Sequence, residues 1–159
     1  MSLVIRPAES ADVPVIADLI RGLARYEKLE DEVNMTEELL AKNLFGPRQY
    51  AETLLAEDGG APIGFALFFH NFSTFLALPG IYLEDLFVVP EHRGRGIGRA
   101  LLQRLAKIAV ERGCGRLEWS VLDWNRDAIG FYERLGAKPN SEWTVYRLAG
   151  EALTSLGRE

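Results

Sequence analysis

The chain has 159 residues, of which 48% are hydrophobic and 26% are charged, and its formal net charge at pH 7 is −5. These values are typical of one globular domain, and the negative charge argues against a nucleic-acid or anionic membrane surface as the partner. The single cysteine, Cys114, cannot form an internal disulfide, and no apolar run approaches the roughly 20 residues of a membrane helix. We therefore expect one cytoplasmic domain over residues 1–159 that binds neither nucleic acid nor membrane.

The first third of the chain predicts one strand and two helices. Leu3 to Ile5 reads as a short opening strand, which Pro7 ends. Apolar residues at helical spacing predict a helix from Asp12 to about Tyr26. Thr36 is a predicted N-cap for a second helix, which Gly46 and Pro47 close.

The middle of the chain predicts a hairpin and then a strand that leads into a glycine-rich loop. The two hairpin strands, 52–57 and 62–72, flank the turn Asp58-Gly59-Gly60. Residues 81–89 are predicted as the next strand, and a helix follows the loop and ends near Gly113. Its apolar face consists of Ile97, Leu101, Leu102, Leu105, Ile108 and Ala109.

The last third of the chain predicts a strand over 116–122, a short helix capped by Asn125 and ended before Gly136, and a final strand over 143–148. The predicted order is β-α-α-β-β-β-α-β-α-β. That order indicates an α/β fold with a mixed sheet and helices on its faces, rather than an alternating doubly wound sheet.

The loop Arg93-Gly94-Arg95-Gly96-Ile97-Gly98 has the composition of an anion-binding site. Three glycines at every second position leave backbone N–H groups uncovered at the start of a helix, where the helix dipole is positive. Arg93 and Arg95 add formal positive charge, so a pyrophosphate is the expected ligand. The pattern G-x-x-x-x-G-K-[ST] is absent, and residue 99 is arginine where a dinucleotide fingerprint would have glycine.

Two elements of the sequence resemble those of a known family. Arg93 to Gly98 fits R-x-x-G-x-G, and Asn125 to Gly136 fits N-x(5)-F-Y-x-x-x-G. Both resemble the GNAT superfamily of N-acetyltransferases, which use acetyl-coenzyme A. The resemblance implies a single-domain fold with a mostly antiparallel mixed sheet, splayed central strands and helices on both faces. It also implies acetyl-coenzyme A as co-substrate. His70 and His92 have no Cys, Asp or Glu at metal-ligand spacing, so no metal is expected.

Within the superfamily, the chain resembles the diamine acetyltransferase group, which acts on spermidine, spermine or thialysine. The resemblance rests on residues 5–8, 23–27, 82–88 and 123–125. It implies that the pyrophosphate lies on the loop, that the pantetheine arm runs along the preceding strand, and that Asn125 holds the arm from the other side. The implied coenzyme-binding residues are Leu86, Phe87, Val88, Arg93, Gly94, Arg95, Gly96, Ile97, Gly98, Arg99, Asn125 and Tyr132. The group forms dimers, so a homodimer is expected.

Acetyl transfer to an amine requires a base, because amines have a pKa of about 10 and only the neutral form attacks. Glu84 is the candidate base, acting through a water, although a salt bridge or a loop anchor is the alternative. Tyr132 is the candidate proton donor to the departing thiolate, although packing beside Phe131 is the alternative. An N–H group between Leu86 and Val88, at a bulge, is the expected oxyanion donor.

The acceptor is expected to be a small cationic amine. Tyr26, Glu27, Glu84 and Asp85 are the implied amine-binding residues, although Glu27 also fits a solvated acidic turn. Where polyamine enzymes of the group have an acidic residue and a tryptophan on the last strand, this chain has residues 144 and 146, Thr and Tyr. This difference favours a shorter amine. A protein or peptide acceptor, and a coenzyme-binding module without turnover, remain alternatives.

Overall fold

The computed structural model describes all residues from Met1 to Glu159, and these form two compact units, residues 1–120 and 121–159. The first unit contains β1 (Leu3–Pro7), α1 (Val13–Tyr26), α2 (Glu37–Phe45), β2 (Glu52–Asp58), β3 (Ala61–Ser73), β4 (Leu78–Val88), α3 (Ile97–Glu111) and β5 (Leu117–Trp119). The second unit contains α4 (Arg126–Arg134) and α5 (Gly150–Leu156). None of these helices combines the length and the apolar composition that crossing a bilayer requires.

The first unit is built on one five-stranded sheet in the order β1-β2-β3-β4-β5. The first four strands are antiparallel, and β5 pairs with β4 in parallel. The parallel pairing joins only 81–83 of β4 to 117–119 of β5, so β4 continues to Val88 without β5 beside it. The predicted mixed, mostly antiparallel sheet with splayed central strands is confirmed.

Helices cover both faces of this sheet. On one face, the helices α1 and α2 pack on the strands through a buried cluster, which consists of Ile16, Leu19, Leu23, Leu44, Leu55, Phe65 and Phe87. Phe68 lies on the other face, because side chains alternate along a strand. There the guanidinium of Arg112, at the end of α3, lies 6.0 Å from the Phe68 ring. The predicted apolar face of α3 is buried except at Ile108, which is half-buried.

Several element boundaries lie where local sequence signals predict them. The Thr36 hydroxyl accepts a hydrogen bond from the Leu39 amide at 3.1 Å, which caps α2. Gly59 and Gly60 have φ values of +59° and +87° and form the turn between β2 and β3. Asn125 Oδ1 accepts a hydrogen bond from the Ala128 amide at 3.2 Å and caps α4.

The expected final strand over 143–148 is wrong. Those residues belong to no strand, and the unpredicted helix α5 follows them, so the order ends in α-α instead of α-β. Trp143, Val145 and Tyr146 are 76%, 85% and 93% exposed. An alternating pattern becomes a strand only where the backbone pairs and one face packs, and neither happens here. For the same reason β5 is shorter than the predicted 116–122, because only three of its residues have partners in β4.

Candidate active site

The glycine-rich loop has the backbone conformation of an anion-binding cradle. Gly94 and Gly96 have φ values of +79° and +80°, in the left-handed region where a side chain would be strained. Gly96 is also the N-cap of α3, and the first helical bond of that turn runs from the Ala100 amide to the Gly96 carbonyl at 3.0 Å. The amides of residues 94–99 therefore have no acceptor within the protein. Left-handed residues followed by a helix N-terminus are the arrangement that binds phosphates in proteins.

Arg93 departs from the expectation that the cradle begins with its amide. Its N–H donates to the Pro90 carbonyl at 3.3 Å, because residues 90–92 form a 3-10 turn that uses the next amide. Its side chain turns toward α1, with the guanidinium carbon 4.3 Å from the centre of the Tyr26 ring. The cradle therefore begins at Gly94, and neither the amide nor the side chain of Arg93 is directed to it.

Two other arginines bring positive charge to the loop. Arg95 Nη1 lies 3.8 Å from Asp58 Oδ2 and 3.3 Å from His92 Nδ1, and the Arg95 side chain is half exposed. Arg99 is exposed in the first turn of α3. Both cations remain accessible to a charged ligand at the loop.

The end of β4 offers a free peptide edge. Val89 N donates to the Ile63 carbonyl of β3 at 2.9 Å, and the register then pairs Phe87 with Phe65. In an antiparallel ladder, peptide groups alternate between the two edges, so those of Leu86 and Val88 face away from β3. The Val88 carbonyl accepts a hydrogen bond from Arg93 Nε at 3.0 Å, which leaves the Leu86 peptide groups and the Val88 N–H at this edge. Because β5 no longer accompanies β4 there, this edge can accept an extended ligand. Phe87, between these two residues, does not face this edge, and its side chain is buried in the cluster that packs α1 and α2 on the sheet.

A bulge in β4 sets the positions of two carboxylates. Leu83 pairs with Phe68 and Asp85 pairs with Leu67, so Glu84 is the extra residue on β4. The bulge was expected between residues 86 and 88, and that expectation is wrong. The insertion leaves Glu84 exposed, while Asp85 is half-buried on the same face as Leu67, the α1 face.

Glu27, Glu84 and Asp85 form a carboxylate cluster in which no member has a salt-bridge partner. Burial, followed by the charges of Glu84 and Glu27, raises the pKa of Asp85 to about 7. Burial, followed by the charge of Glu84, also raises the pKa of Glu27. Uncompensated negative charge in a partly dry site favours a bound cation. The structure thus brings together the predicted residues Tyr26, Glu27, Glu84 and Asp85 at the end of α1 and the middle of β4.

The second unit contains the other two predicted residues. Asn125 is 8% exposed and uses its side-chain oxygen to cap α4. Tyr132 lies in the last turns of α4, is half-buried, and has its ring 5.5 Å from that of Phe131.

The side-chain role of Arg93 and the role of Gly22 were not predicted. A Cβ at Gly22 would lie 3.0 Å from the Phe87 ring, so this glycine lets α1 approach β4 closely. A glycine within an otherwise strong helix pattern was the available signal. Nothing in the sequence indicates where the Arg93 side chain turns.

Comparison with known proteins identifies the family. The sequence profile described as "Acetyltransferase (GNAT) family" matches residues 17–137. A thialysine N-epsilon-acetyltransferase of Bos taurus is 39% identical over 97% of this chain and 96% of that protein. The L-ornithine N5-acetyltransferase of Arabidopsis thaliana is 35% identical over 97% of this chain and 87% of its own length.

Solved structures share the fold. An integron cassette protein from the mobile metagenome of V. cholerae superposes with a TM-score of 0.84 and 29% identity, covering 100% of this chain and 99% of the other. The ribosomal-protein-alanine N-acetyltransferase of Brucella melitensis biovar Abortus 2308 gives a TM-score of 0.74 at 25% identity, over 94% of this chain and 100% of the other. With its family profile, its relatives and its fold in agreement, the chain belongs to the acetyltransferase (GNAT) family and is an N-acetyltransferase.

Proposed function

We propose that the protein transfers an acetyl group from acetyl-coenzyme A to a primary amine of a small cationic acceptor, by direct attack of the amine on the thioester. The observation that carries this proposal is that β4 has a negatively charged site along its edge and an anion-binding site beyond its end. The unpaired carboxylates Glu84 and Asp85 lie where its free edge begins, and the unpaired amides from Gly94 onward lie beyond its end. One strand edge therefore joins a site for an ammonium to a site for a diphosphate.

In this proposal the amides of residues 94–99 bind the coenzyme's diphosphate, with Arg95 and Arg99 contributing charge. The peptide groups of Leu86 and the N–H of Val88 hold the pantetheine arm as an added strand, and Asn125 holds the arm from its other side. Free peptide edges are general sites for extended ligands, because each main-chain group they offer would otherwise lack a partner. Acetyl-coenzyme A supplies the thioester, and the protein supplies its orientation.

The acceptor's charge is matched by the carboxylate cluster of Glu27, Glu84 and Asp85, beside Tyr26. The amine arrives as an ammonium, and Glu84, which is exposed, takes its proton through a water. The neutral nitrogen then forms a bond to the acetyl carbon. The peptide N–H of Leu86 or Val88, which faces the free edge, stabilises the oxyanion.

The reaction ends when the carbon–sulfur bond breaks and the thiolate leaves. Tyr132 donates the phenolic proton to that thiolate. A phenol with a pKa of about 10 can protonate a thiolate whose conjugate acid has a pKa of about 8.5 with only a small energetic cost. The ammonium nitrogen gives up two protons in all. The first goes to Glu84 through the water, and the second, lost after the carbon–nitrogen bond forms, replaces the proton that Tyr132 gives to the sulfur.

An amino acid with a side-chain amine is the acceptor that we favour among diamines, polyamines and thialysine-like compounds. The two relatives described above are named for thialysine and ornithine, which both belong to that class. The residues at 144 and 146, Thr and Tyr, lack the negative charge that a longer polyamine would use.

A thiol-release assay with acetyl-coenzyme A and a panel of amines tests the proposal. The panel contains thialysine, ornithine, spermidine and a peptide with a free amino terminus. We expect amine-dependent thiol release, strongest with thialysine or ornithine. Release with the peptide alone would instead assign a protein acceptor. Coenzyme binding without release for any amine would indicate a module that does not turn over.

We also propose that both units form one domain, residues 1–159, and that the protein acts as a homodimer in the cytoplasm. The family profile spans residues 17–137 and so crosses the boundary between the units. The dimer is supported by exposed apolar surface at Trp143, Val145 and Tyr146, of the kind that protein contacts bury. The cytoplasm is supported by the only cysteine, Cys114, which is a free thiol. Light scattering should give roughly twice the chain mass of 17.8 kDa, and the mass of one chain would contradict the dimer.

A further inference from the structure

The side chain of Arg93 links the end of α1 to the end of β4. Its guanidinium carbon lies 4.3 Å from the centre of the Tyr26 ring and 5.6 Å from that of Phe87. Its Nε donates to the Val88 carbonyl at 3.0 Å. A single planar group thus contacts the last residue of α1 and two successive residues of β4.

These contacts give Arg93 a different structural role from that of Arg95 and Arg99 in the same loop. Its guanidinium is engaged by two rings and a carbonyl, and its amide is bound to Pro90. Arg95 and Arg99, by contrast, belong to the stretch of six amides that have no acceptor in the protein. The first arginine of the loop therefore connects protein elements, whereas the later ones are available to a ligand.

The elements that Arg93 connects carry the two halves of the proposed site. Tyr26 is followed directly by Glu27, whose carboxylate is electrostatically coupled to Glu84 and Asp85. Val88 is the last residue of the free edge of β4, and the cradle begins at Gly94. Moving Arg93 would therefore change the position of the amine-binding end of α1 relative to the strand that presents the acetyl group.

We propose that Arg93 is a positioning residue for the acceptor amine: it fixes Tyr26 and Glu27 against β4, and it is not a ligand of the coenzyme's diphosphate. This inference rests on the proposed function, because it assigns Glu27 to the amine. It also explains the need for arginine, since a planar guanidinium can stack on a ring while its Nε donates in the same plane. Lysine has the charge but lacks that geometry.

Steady-state kinetics with thialysine, together with calorimetric titration of coenzyme A, separates the two roles. In Arg93→Ala we expect the amine KM to rise roughly tenfold, from the loss of one charged hydrogen bond and a ring contact, while coenzyme affinity stays near wild type. Arg93→Lys should not restore the amine KM. Arg95→Ala should show the opposite pattern, with weaker coenzyme binding and an amine KM near wild type.

Arg48→Ala is the matched control, because the Arg48 guanidinium lies 5.0 Å from the centre of the Tyr50 ring and outside the site. It should change neither constant. Weakened coenzyme binding in Arg93→Ala with an unchanged amine KM would overturn the inference, because Arg93 would then act as a phosphate ligand. Full recovery in Arg93→Lys would also overturn it, because charge alone would then suffice.

Hydrogen exchange tests the positioning independently of turnover. The amides of Glu27 and Leu29 donate to Leu23 and Ala24, both at 2.9 Å. We expect faster exchange at these two amides in Arg93→Ala, with no change in α2. Unchanged exchange would contradict the inference even if the enzyme is active. Faster exchange in a protein that acetylates no amine would retain the positioning role while rejecting the proposed function.

Discussion

Asp85 is half-buried on the α1 side of the sheet because Glu84 is inserted into β4 directly before it. Burial and the nearby charges of Glu84 and Glu27 raise its pKa to about 7 from an ordinary value of 3.8. Below pH 3.8 the carboxyl is protonated in both states and has no effect on stability. Between 3.8 and about 7 the unfolded chain ionises while the folded protein keeps the proton, so stability falls as pH rises.

Asp85→Asn removes this titration without changing the size of the side chain. We expect the variant's free energy of unfolding to increase relative to wild type as the pH rises from about 4 to about 8. The increase should be steepest between the two pKa values of Asp85, 3.8 in the unfolded chain and about 7 in the folded protein. Urea denaturation across that range measures the difference. Asp18→Asn, at an exposed position of α1, is the control and should follow wild type. A parallel profile for Asp85→Asn would show that the carboxyl is not perturbed.

Tyr132 is the residue on which the proton-donor role depends. Tyr132→Phe keeps the ring but removes the acidic proton, so kcat should fall by roughly 10²- to 10⁴-fold while the affinity for acetyl-coenzyme A stays near wild type. Tyr50→Phe, at an exposed site, should leave both unchanged. Equal losses in kcat and affinity would assign Tyr132 to binding.

At the scale of elements, the two ends of α3 provide a matched pair. Gly96 precedes the helix with a φ of +80°, and Gly113 follows it with a φ of +73°; a Cβ at either would meet nothing within 4 Å. Valine should therefore cost a similar conformational energy at each position, on the order of 1–2 kcal/mol. Only Gly96 lies among the unpaired amides.

Both variants should lower the melting temperature by a similar amount. Gly96→Val should also weaken acetyl-coenzyme A binding strongly, while Gly113→Val should leave that binding intact. Calorimetry and thermal melts on both variants measure these effects. If both variants bind the coenzyme as wild type does, the loop is not the cradle.

Asn125 combines the capping of α4 with its proposed contact to the pantetheine arm. Its oxygen caps the helix, so Asn125→Ala should cost about 1 kcal/mol of stability, whereas serine is about as good an N-cap as asparagine. Asn125→Ser should therefore keep the stability and lose coenzyme affinity. If Asn125→Ser matches wild type in both its denaturation curve and its coenzyme affinity, Asn125 only caps α4 and does not contact the coenzyme.

Over the whole molecule, the parts predicted well from sequence are those with local causes. The Thr36 cap, the Gly59-Gly60 turn and the Asn125 cap each depend on residues within a few positions along the chain. The family resemblance likewise rests on short motifs, and the match to residues 17–137 confirms it.

The features that sequence could not predict depend on partners distant in the chain. The bulge at Glu84 is visible only from the register with β3, and the segment 143–148 has a strand pattern without a pairing strand. The stacking of Arg93 on Tyr26 joins residues far apart in sequence. An alternating pattern favours a strand and a charged residue favours a polar contact, but tertiary contacts determine whether that strand or contact forms.

In the proposed mechanism, the main-chain amides of residues 94–99 bind the diphosphate of acetyl-coenzyme A. Amide resonances of the isotopically labelled protein, followed while coenzyme A is added, measure this directly. We predict large, saturable shifts at residues 94–99 and a smaller one at Arg93, whose amide already donates to Pro90. If coenzyme binding saturates while these six resonances do not move, the loop does not bind the diphosphate.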